Sequence, residues 1–168
     1  MNSNLYKQIR SLRSLCIGEF VACITFIYCL IMLSYRNIII IDYAVIYPFS
    51  SLLLILLQGS YYWYYKLCII KKMNPDRKIF KKIYKTFKIL NIVMFTLYPI
   101  GLIYMISANR IGILRRENFF GVFLFVFGII EYINYFYIRL SYSKYDDIVA
   151  LFKFENIRKS SLCKELKK

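Results

Sequence analysis

The residues in this sequence that are best suited to chemistry are polar side chains that interrupt long apolar segments. Glu131 follows an uncharged run over residues 119–130, and Asn134 lies one helical turn later on the same face. Comparable polar residues interrupt the other apolar segments: Glu19, Gln58, Asn91 and Thr96. A carboxylate inside a membrane span costs about 3 kcal/mol. Glu131 therefore needs a partner, water or a ligand.

Four apolar segments of about 20 residues are each long enough to cross a hydrocarbon core of about 30 Å. They cover approximately residues 15–34, 44–65, 89–107 and 119–140. The chain is 60% hydrophobic, whereas a soluble domain carries roughly 45–50% apolar residues. Backbone polar groups in lipid must be paired within the segment, so the pattern predicts an all-α membrane protein with four transmembrane helices.

The distribution of positive charge predicts how the chain crosses the membrane. The net charge is +15, with 24 lysines and arginines. All of these cations precede the first span, surround the connection between the second and third spans, or follow Glu131, except Arg36, Arg110, Arg115 and Arg116. Cytoplasmic segments carry the excess of Lys and Arg, so we expect both termini in the cytoplasm. A composition rich in Ile, Lys, Tyr and Asn indicates an AT-rich bacterial genome and hence a plasma membrane.

With this topology, the strongly polar residues inside the spans all lie in the cytoplasmic half of the membrane, as judged from the helical rise per residue. One interpretation is a cytoplasm-facing cavity for a small cation, a proton or a polar ligand. Glu131 would be its charged anchor, with Asn134 and Gln58 as orienting partners. The other interpretation is a buried hydrogen-bond network that holds the helices in register, at about 0.6 kcal/mol per bond. The sequence leaves both interpretations open.

The connection between the second and third spans predicts a basic amphipathic helix that lies in the headgroup plane or continues into the third span. Asn74 is its predicted N-cap, with Pro75 at the first helical position. One face carries an apolar stripe: Ile79, Phe80, Ile83, Tyr84 and Phe87. Basic residues here and at the end of the fourth span form a predicted surface for anionic headgroups or a protein partner: Lys71, Lys72, Arg77, Lys78, Lys81, Lys82, Lys85 and Arg139. A simpler interpretation is a helix that merely follows the interface.

The sequence divides into a predicted four-helix bundle over residues 1–142 and a cytoplasmic tail over residues 143–168. Ser143 and Asp146 resemble a capping box, which predicts a short helix in the tail. At the inner end of the second span, the aromatic run over residues 61–65 precedes Lys66 and is typical of an interfacial belt. A stacking platform for a ligand or a nucleic acid is the alternative for this run.

Several kinds of chemistry have no support in the sequence. The chain has no histidine, which is the commonest metal ligand and the usual proton carrier at neutral pH. None of the five cysteines forms a CxxC pair. The HExxH, GxSxG and phosphate-loop patterns are missing. We therefore expect no catalytic residue, metal or cofactor, and no nucleic-acid partner, with a membrane-embedded enzyme as a remaining alternative.

Two C-terminal segments carry a family resemblance: EYINYFYIRLSY over residues 131–142 and RKSSLCKEL over residues 158–166. Both resemble a family of small four-span membrane proteins from low-GC Gram-positive bacteria, some of which are labelled general stress protein. The family has no established activity. The resemblance implies only that some residues matter beyond packing: Glu131, Asn134, Arg139, Ser141, Ser160 and Ser161.

Together these patterns predict a multi-pass plasma-membrane protein without catalytic activity. We expect an accessory, stress- or immunity-type factor that contacts anionic headgroups and acts through a membrane-protein partner or as a homo-oligomer. The alternative is a small carrier or ion-binding protein that uses the polar cluster around Glu131.

Overall fold

The computed structural model describes residues 3–108, 112–137 and 160–167, which form four long helices and one short helix. The long helices are α1 (Ser3–Tyr35), α2 (Tyr43–Ile70), α3 (Arg77–Ser107) and α4 (Arg116–Phe136), and the short helix α5 is Ser161–Lys167. The four long helices are all long and apolar enough to cross a membrane. The predicted all-α architecture with four spans is confirmed, and the side on which the termini lie stays a prediction.

The helix boundaries differ from the predicted spans. α1 begins at Ser3, so the basic residues that precede the first span are already helical. α3 runs without a break from Arg77 to Ser107, which makes the basic amphipathic segment and the third span one helix. α4 ends at Phe136, before the predicted end at residue 140, because its C-cap Tyr137 leaves the helical conformation with φ −125° and ψ −62°. The predicted capping box at residues 143–146 lies outside the described residues.

The N-cap of α3 is Asp76 rather than the predicted Asn74. The Asp76 carboxylate accepts the backbone N–H groups of Lys78 at 2.7 Å and Ile79 at 3.3 Å. Asn74 instead adopts a positive φ of 42°, in a region that asparagine tolerates better than most residues. Aspartate and asparagine are about equally good N-caps, so the position of the turn decides between them.

α2 is the central helix and makes most of its contacts with α1 and α4. Its aliphatic residues Leu52, Leu56 and Val45 pack with residues of α1 and α4 in one core cluster. A second cluster is aromatic and includes Tyr65 of α2 and Phe80 of α3, whose rings stack 3.6 Å apart between centroids. By contrast, α1 and α3 expose many isoleucines and leucines. Such an apolar surface is suited to contact with lipid tails.

Pro48 interrupts the hydrogen-bond ladder of α2, and a neighbouring helix supplies the missing donor. Proline has no N–H, so the carbonyl of Ala44, four residues earlier, loses its bond within the helix. The hydroxyl of Tyr98 in α3 donates to this carbonyl over 3.1 Å. Gly121 of α4 packs against the same oxygen, where a Cβ would overlap both Ala44 and Tyr98. Three helices therefore meet at one backbone oxygen.

At the start of α4, a polar cluster joins the two connections that are predicted to lie outside the cell. Arg115, the N-cap of α4, pairs with Asp42 at 3.0 Å and with Glu117 at 3.4 Å. The Glu117 carboxylate also accepts the backbone N–H of Ile40 at 3.3 Å. These bonds fix the connection between α1 and α2 against the start of α4.

Candidate functional site

Gln58 of α2 and Asn91 of α3 form a reciprocal amide pair, and both side chains are buried. Asn91 Nδ2 donates to Gln58 Oε1 at 2.8 Å, and Gln58 Nε2 donates to Asn91 Oδ1 at 3.3 Å. The hydroxyl of Tyr84 donates to the backbone carbonyl of Gln58 at 2.6 Å. Because each amide binds the other's donor and acceptor, this pair fits the interpretation of a structural network.

A second polar group joins α1 to α4. The Tyr135 hydroxyl donates to the carboxylate of Glu19. On the same helix as Tyr135, Asn134 Nδ2 donates to Glu131 Oε2 at 3.3 Å. The carboxylates of Glu19 and Glu131 lie close enough to interact electrostatically. Tyr135 crosses α2 at Gly59, where a Cβ would overlap its ring.

The single polar layer predicted from the sequence is therefore two separate groups. Gln58 and Asn91 form one group. In the other group, Glu19 accepts from Tyr135 and Glu131 accepts from Asn134, the neighbour of Tyr135 in α4. Thr96 belongs to neither group, which corrects its predicted place in the cluster. Its exposed hydroxyl donates to the carbonyls of Ile92 at 3.1 Å and Val93 at 2.9 Å in its own helix. Depth along a helix is predictable from residue number, but helix rotation decides which side chains meet.

A cavity of about 150 Å³ lies beside Glu19, between α1, α2, α4 and α5. Its walls combine three aromatic side chains with polar ones: Tyr62, Trp63, Tyr135, Glu19, Asn134 and Ser160. The Tyr62 hydroxyl and the Trp63 indole N–H are shielded from solvent and make no regular hydrogen bond to the described residues. Ser161 and Tyr135 are polar neighbours of these two groups. Enclosed polar groups beside an open volume mark a place where ordered water or a ligand completes the bonding.

Ser160 closes one side of this cavity by joining the end of α4 to the start of α5. Its hydroxyl donates to the carbonyl of Tyr135 at 2.6 Å, and its backbone N–H donates to the carbonyl of Tyr137 at 3.0 Å. The same hydroxyl oxygen accepts the N–H of Cys163 at 2.9 Å and caps α5. Ser160 thus binds carbonyls that have no partner within α4, since the last turn of a helix leaves them free.

α5 packs on the bundle through the apolar residues Leu162 and Leu166 and through an ion pair. Leu162 is only 1% exposed and belongs to the aromatic core cluster. Glu165 of α5 pairs with Lys66 near the C-terminal end of α2. The ammonium group of Lys66 also lies 5.8 Å from the centroid of the Tyr62 ring. α5 therefore covers the cavity. The short helix that the sequence predicts after Ser143 lies outside the described residues and stays a prediction.

The predicted basic surface lies at the same end of the bundle, around the start of α3. Its exposed members are Lys71, Lys72, Arg77, Lys78, Lys82 and Lys85, while Lys81 is half-buried. Among the residues that the structure describes, none of these cations belongs to an ion pair. Arg139, the remaining predicted member, lies outside the described residues.

Sequence reasoning did not identify the aromatic members of the cavity. The run over residues 61–65 predicts an interfacial belt, which does not distinguish the buried Tyr62 from the exposed Tyr64. The available signal was Gly59, because a glycine in the interior of a span lets a bulky side chain cross close to the backbone. Tyr135 occupies that space.

Comparison of the chain with family models, curated proteins and solved structures finds no match. The resemblance of residues 131–142 and 158–166 to a family of four-span proteins therefore stays a prediction. The arguments that follow rest on the geometry of the described residues.

Proposed function

We propose that this chain is a non-catalytic plasma-membrane protein, an accessory, stress- or immunity-type factor that acts by binding another membrane protein. The observation that supports the proposal is the exposed basic surface around the start of α3, whose cations have no ion-pair partner among the described residues. Cations gathered on one surface attract an acidic partner and suppress binding of basic ones.

The shape of this surface favours a protein partner over headgroups alone. Anionic lipids attract each nearby Lys or Arg by about 1 kcal/mol, and this attraction does not require a surface of any particular shape. Here a cleft of about 200 Å³ opens beside the basic residues, between α2, α3 and α5. Arg77 and Lys81 line the cleft together with the ring of Phe80 and the carboxylate of Glu165. A cleft with both cationic and apolar walls suits an acidic, partly apolar segment of another protein.

Reversing the charge of the surface tests this proposal. We expect that replacing Lys78, Lys82 and Lys85 together by glutamate reduces partner capture at least about tenfold, because like charges across an interface repel. Capture is measured by placing a photoactivatable residue at position 71 and irradiating native membranes. The mass of the adduct distinguishes a second copy of this chain from a different protein.

The matched control reverses Lys7, Arg10 and Arg13, which are exposed on α1 and predicted to lie on the same side of the membrane. This control should keep the adduct. Labelling of an Arg36→Cys variant from outside the cell verifies that neither set of substitutions inverts the chain. Equal loss of the adduct in both sets, or adducts with lipid only, would contradict a specific partner.

A small carrier or ion-binding protein that uses the cluster around Glu131 is the second candidate function. It is favoured by the carboxylates of Glu19 and Glu131, neither of which belongs to an ion pair within the described part of the chain. A metal cation that binds to the Glu131 carboxylate raises the melting temperature of the folded protein. We expect Na⁺, K⁺, Mg²⁺ or Ca²⁺ chloride to stabilise the detergent-purified protein, and the Glu131→Gln variant to lose this response while melting normally without the cation. The same response in both proteins would exclude Glu131 as an ion ligand.

A further inference from the structure

We infer that the cavity between α1, α2, α4 and α5 binds a small organic ammonium group, held by the carboxylate of Glu19 and the aromatic side chains around it. The cavity lies apart from the basic surface, so this inference goes beyond the proposed function and does not depend on it. Four features carry the inference: the charge of the cavity, its aromatic walls, its enclosed polar atoms and its volume.

The charge of the cavity selects a cation. Among the described residues that line it, Glu19 is the only charged one, and the remaining polar groups are neutral hydroxyl, amide and indole groups. The nearby cation Lys66 is already paired with Glu165. Tyr135 donates a hydrogen bond to Glu19 but carries no compensating positive charge. A half-buried carboxylate in this position gains most from a cationic ligand.

The aromatic walls select an organic ammonium over a metal ion. Metal ions such as Ca²⁺ or Mg²⁺ require six or more oxygen ligands, whereas Tyr62, Trp63 and Tyr135 supply much of this lining. An organic ammonium gains from aromatic rings through cation–π attraction and from a carboxylate through charge-assisted hydrogen bonds. Na⁺ and K⁺ have no N–H or C–H groups, so they cannot donate hydrogen bonds to the carboxylate while packing such groups against the aromatic rings.

The enclosed polar atoms match an amino alcohol in particular. The hydroxyl of Tyr62, a residue only 1% exposed, can accept an N–H of the ammonium group. The indole N–H of Trp63 can donate to an oxygen on the neighbouring carbon chain. The cavity of about 150 Å³ exceeds the roughly 30 Å³ share of one water molecule several-fold. Ethanolamine has this size and this arrangement of groups. Choline shares the positive charge and the hydroxyl but has no N–H, so it would depend on the carboxylate charge and the aromatic rings alone.

Such a group has two sources, a free amine or the headgroup of a phospholipid. Tyr62 and Trp63 belong to the aromatic run at residues 61–65, and such runs lie at the level of lipid headgroups. A headgroup therefore has a short route to the cavity. The two sources share one chemistry, and the experiment separates them.

Trp63 is the only tryptophan of the chain, so its fluorescence reports directly on the cavity. We expect saturable changes in tryptophan emission when the detergent-purified protein is titrated with ethanolamine hydrochloride or choline chloride at constant ionic strength. Dimethylbutanol, the uncharged carbon isostere of choline, should bind at least about tenfold more weakly. In nanodiscs of phosphatidylglycerol with added phosphatidylethanolamine, loss of the response to free ethanolamine identifies the lipid as the source. A response retained there identifies the free amine.

Matched variants locate the response. Glu19→Gln should weaken binding at least about tenfold, since it removes the charge but keeps the size of the side chain. Tyr62→Phe should weaken ethanolamine binding about threefold, the loss of a modest hydrogen bond. Tyr64→Phe should change nothing, because Tyr64 lies in the same run but faces away from the cavity. The melting temperature of each variant is measured to show that the variant folds. If Glu19→Gln does not fold, the comparison of Tyr62→Phe with Tyr64→Phe tests the inference in its place.

Three results would overturn the inference. Equal binding of dimethylbutanol and choline would show that charge plays no part. Unchanged affinity in both Glu19→Gln and Tyr62→Phe would place the response elsewhere. The absence of a saturable change with either amine, in detergent and in nanodiscs, would leave the cavity as a site for ordered water only.

Discussion

Replacing Gly121 by alanine is expected to lower the free energy of unfolding by about 3 kcal/mol, the upper part of the usual range for overpacking a core. The added Cβ would overlap the backbone oxygen of Ala44 and the hydroxyl of Tyr98. A backbone atom cannot rotate away as a side chain can, so α4 must move away from α2. That movement also disturbs the hydrogen bond by which Tyr98 pairs the carbonyl left free by Pro48.

Gly18→Ala is the matched control for this prediction. Gly18 is an exposed helical glycine of α1, and a Cβ there meets nothing within 4 Å. Alanine should leave stability unchanged or raise it by up to about 1 kcal/mol, since it favours helix more than glycine does. Unfolding by a denaturing detergent, followed by circular dichroism, measures both variants. Equal stability of the two proteins would show that α2 and α4 do not approach each other as closely as the structure describes.

Replacing Asn91 by leucine is expected to lower the free energy of unfolding by about 2 kcal/mol. Leucine has a similar size, so the main loss is chemical rather than steric. The amide of Gln58 keeps its buried place but loses the partner for one donor and one acceptor. Leaving a buried polar group unsatisfied costs more free energy than the net contribution that its hydrogen bond made to stability.

The double variant Gln58→Leu with Asn91→Leu separates the pair from its surroundings. Because both polar groups are removed, the double variant should recover at least half of the stability that Asn91→Leu loses. The same detergent unfolding measurement gives the coupling between the two positions. Additive losses of unfolding free energy in the double variant would mean that the two amides are not partners. As a control, the loss caused by Tyr98→Phe should add to that of Asn91→Leu, because Tyr98 bonds a different group, the carbonyl of Ala44.

The existence of the four spans was predictable because apolar length matches membrane thickness, whereas the ends of the helices were not. The basic segment over residues 77–88 has an apolar stripe of its own, so Phe80 and Tyr84 pack into the core while the lysines remain outside. The pattern of this segment is therefore compatible with both a surface helix and the start of a span. In the structure, the segment and the third span form one continuous helix. Asp76 and Asn74 are similar in capping strength, and only the turn before α3 distinguishes them.

The polar residues of the candidate site were predictable from the sequence, but their arrangement in space was not. Glu19, Glu131 and Asn134 are conspicuous because charged and amide groups are costly in lipid. Tyr135, the hydrogen-bond partner of Glu19, is ordinary in a sequence with 17 tyrosines. Its role depends on Gly59 in another helix and on helix rotation, which residue spacing does not determine across helices. The docking of Leu162 and Ser160 is a contact between distant parts of the chain and leaves no local pattern.

The cavity beside Glu19 also implies an order of events during biosynthesis. Its walls come from segments far apart in the sequence, with Leu15 in α1, Trp63 in α2, Tyr135 in α4 and Leu162 in α5. While a ribosome has delivered only α1 and α2 to the membrane, Glu19 has no Tyr135 hydroxyl to bind and the cavity has only half of its walls. A chain arrested at that stage presents a carboxylate that lacks its Tyr135 partner, and such a group is costly in lipid. Closure of the cavity by α5 thus marks the difference between an unfinished chain and a fully assembled one.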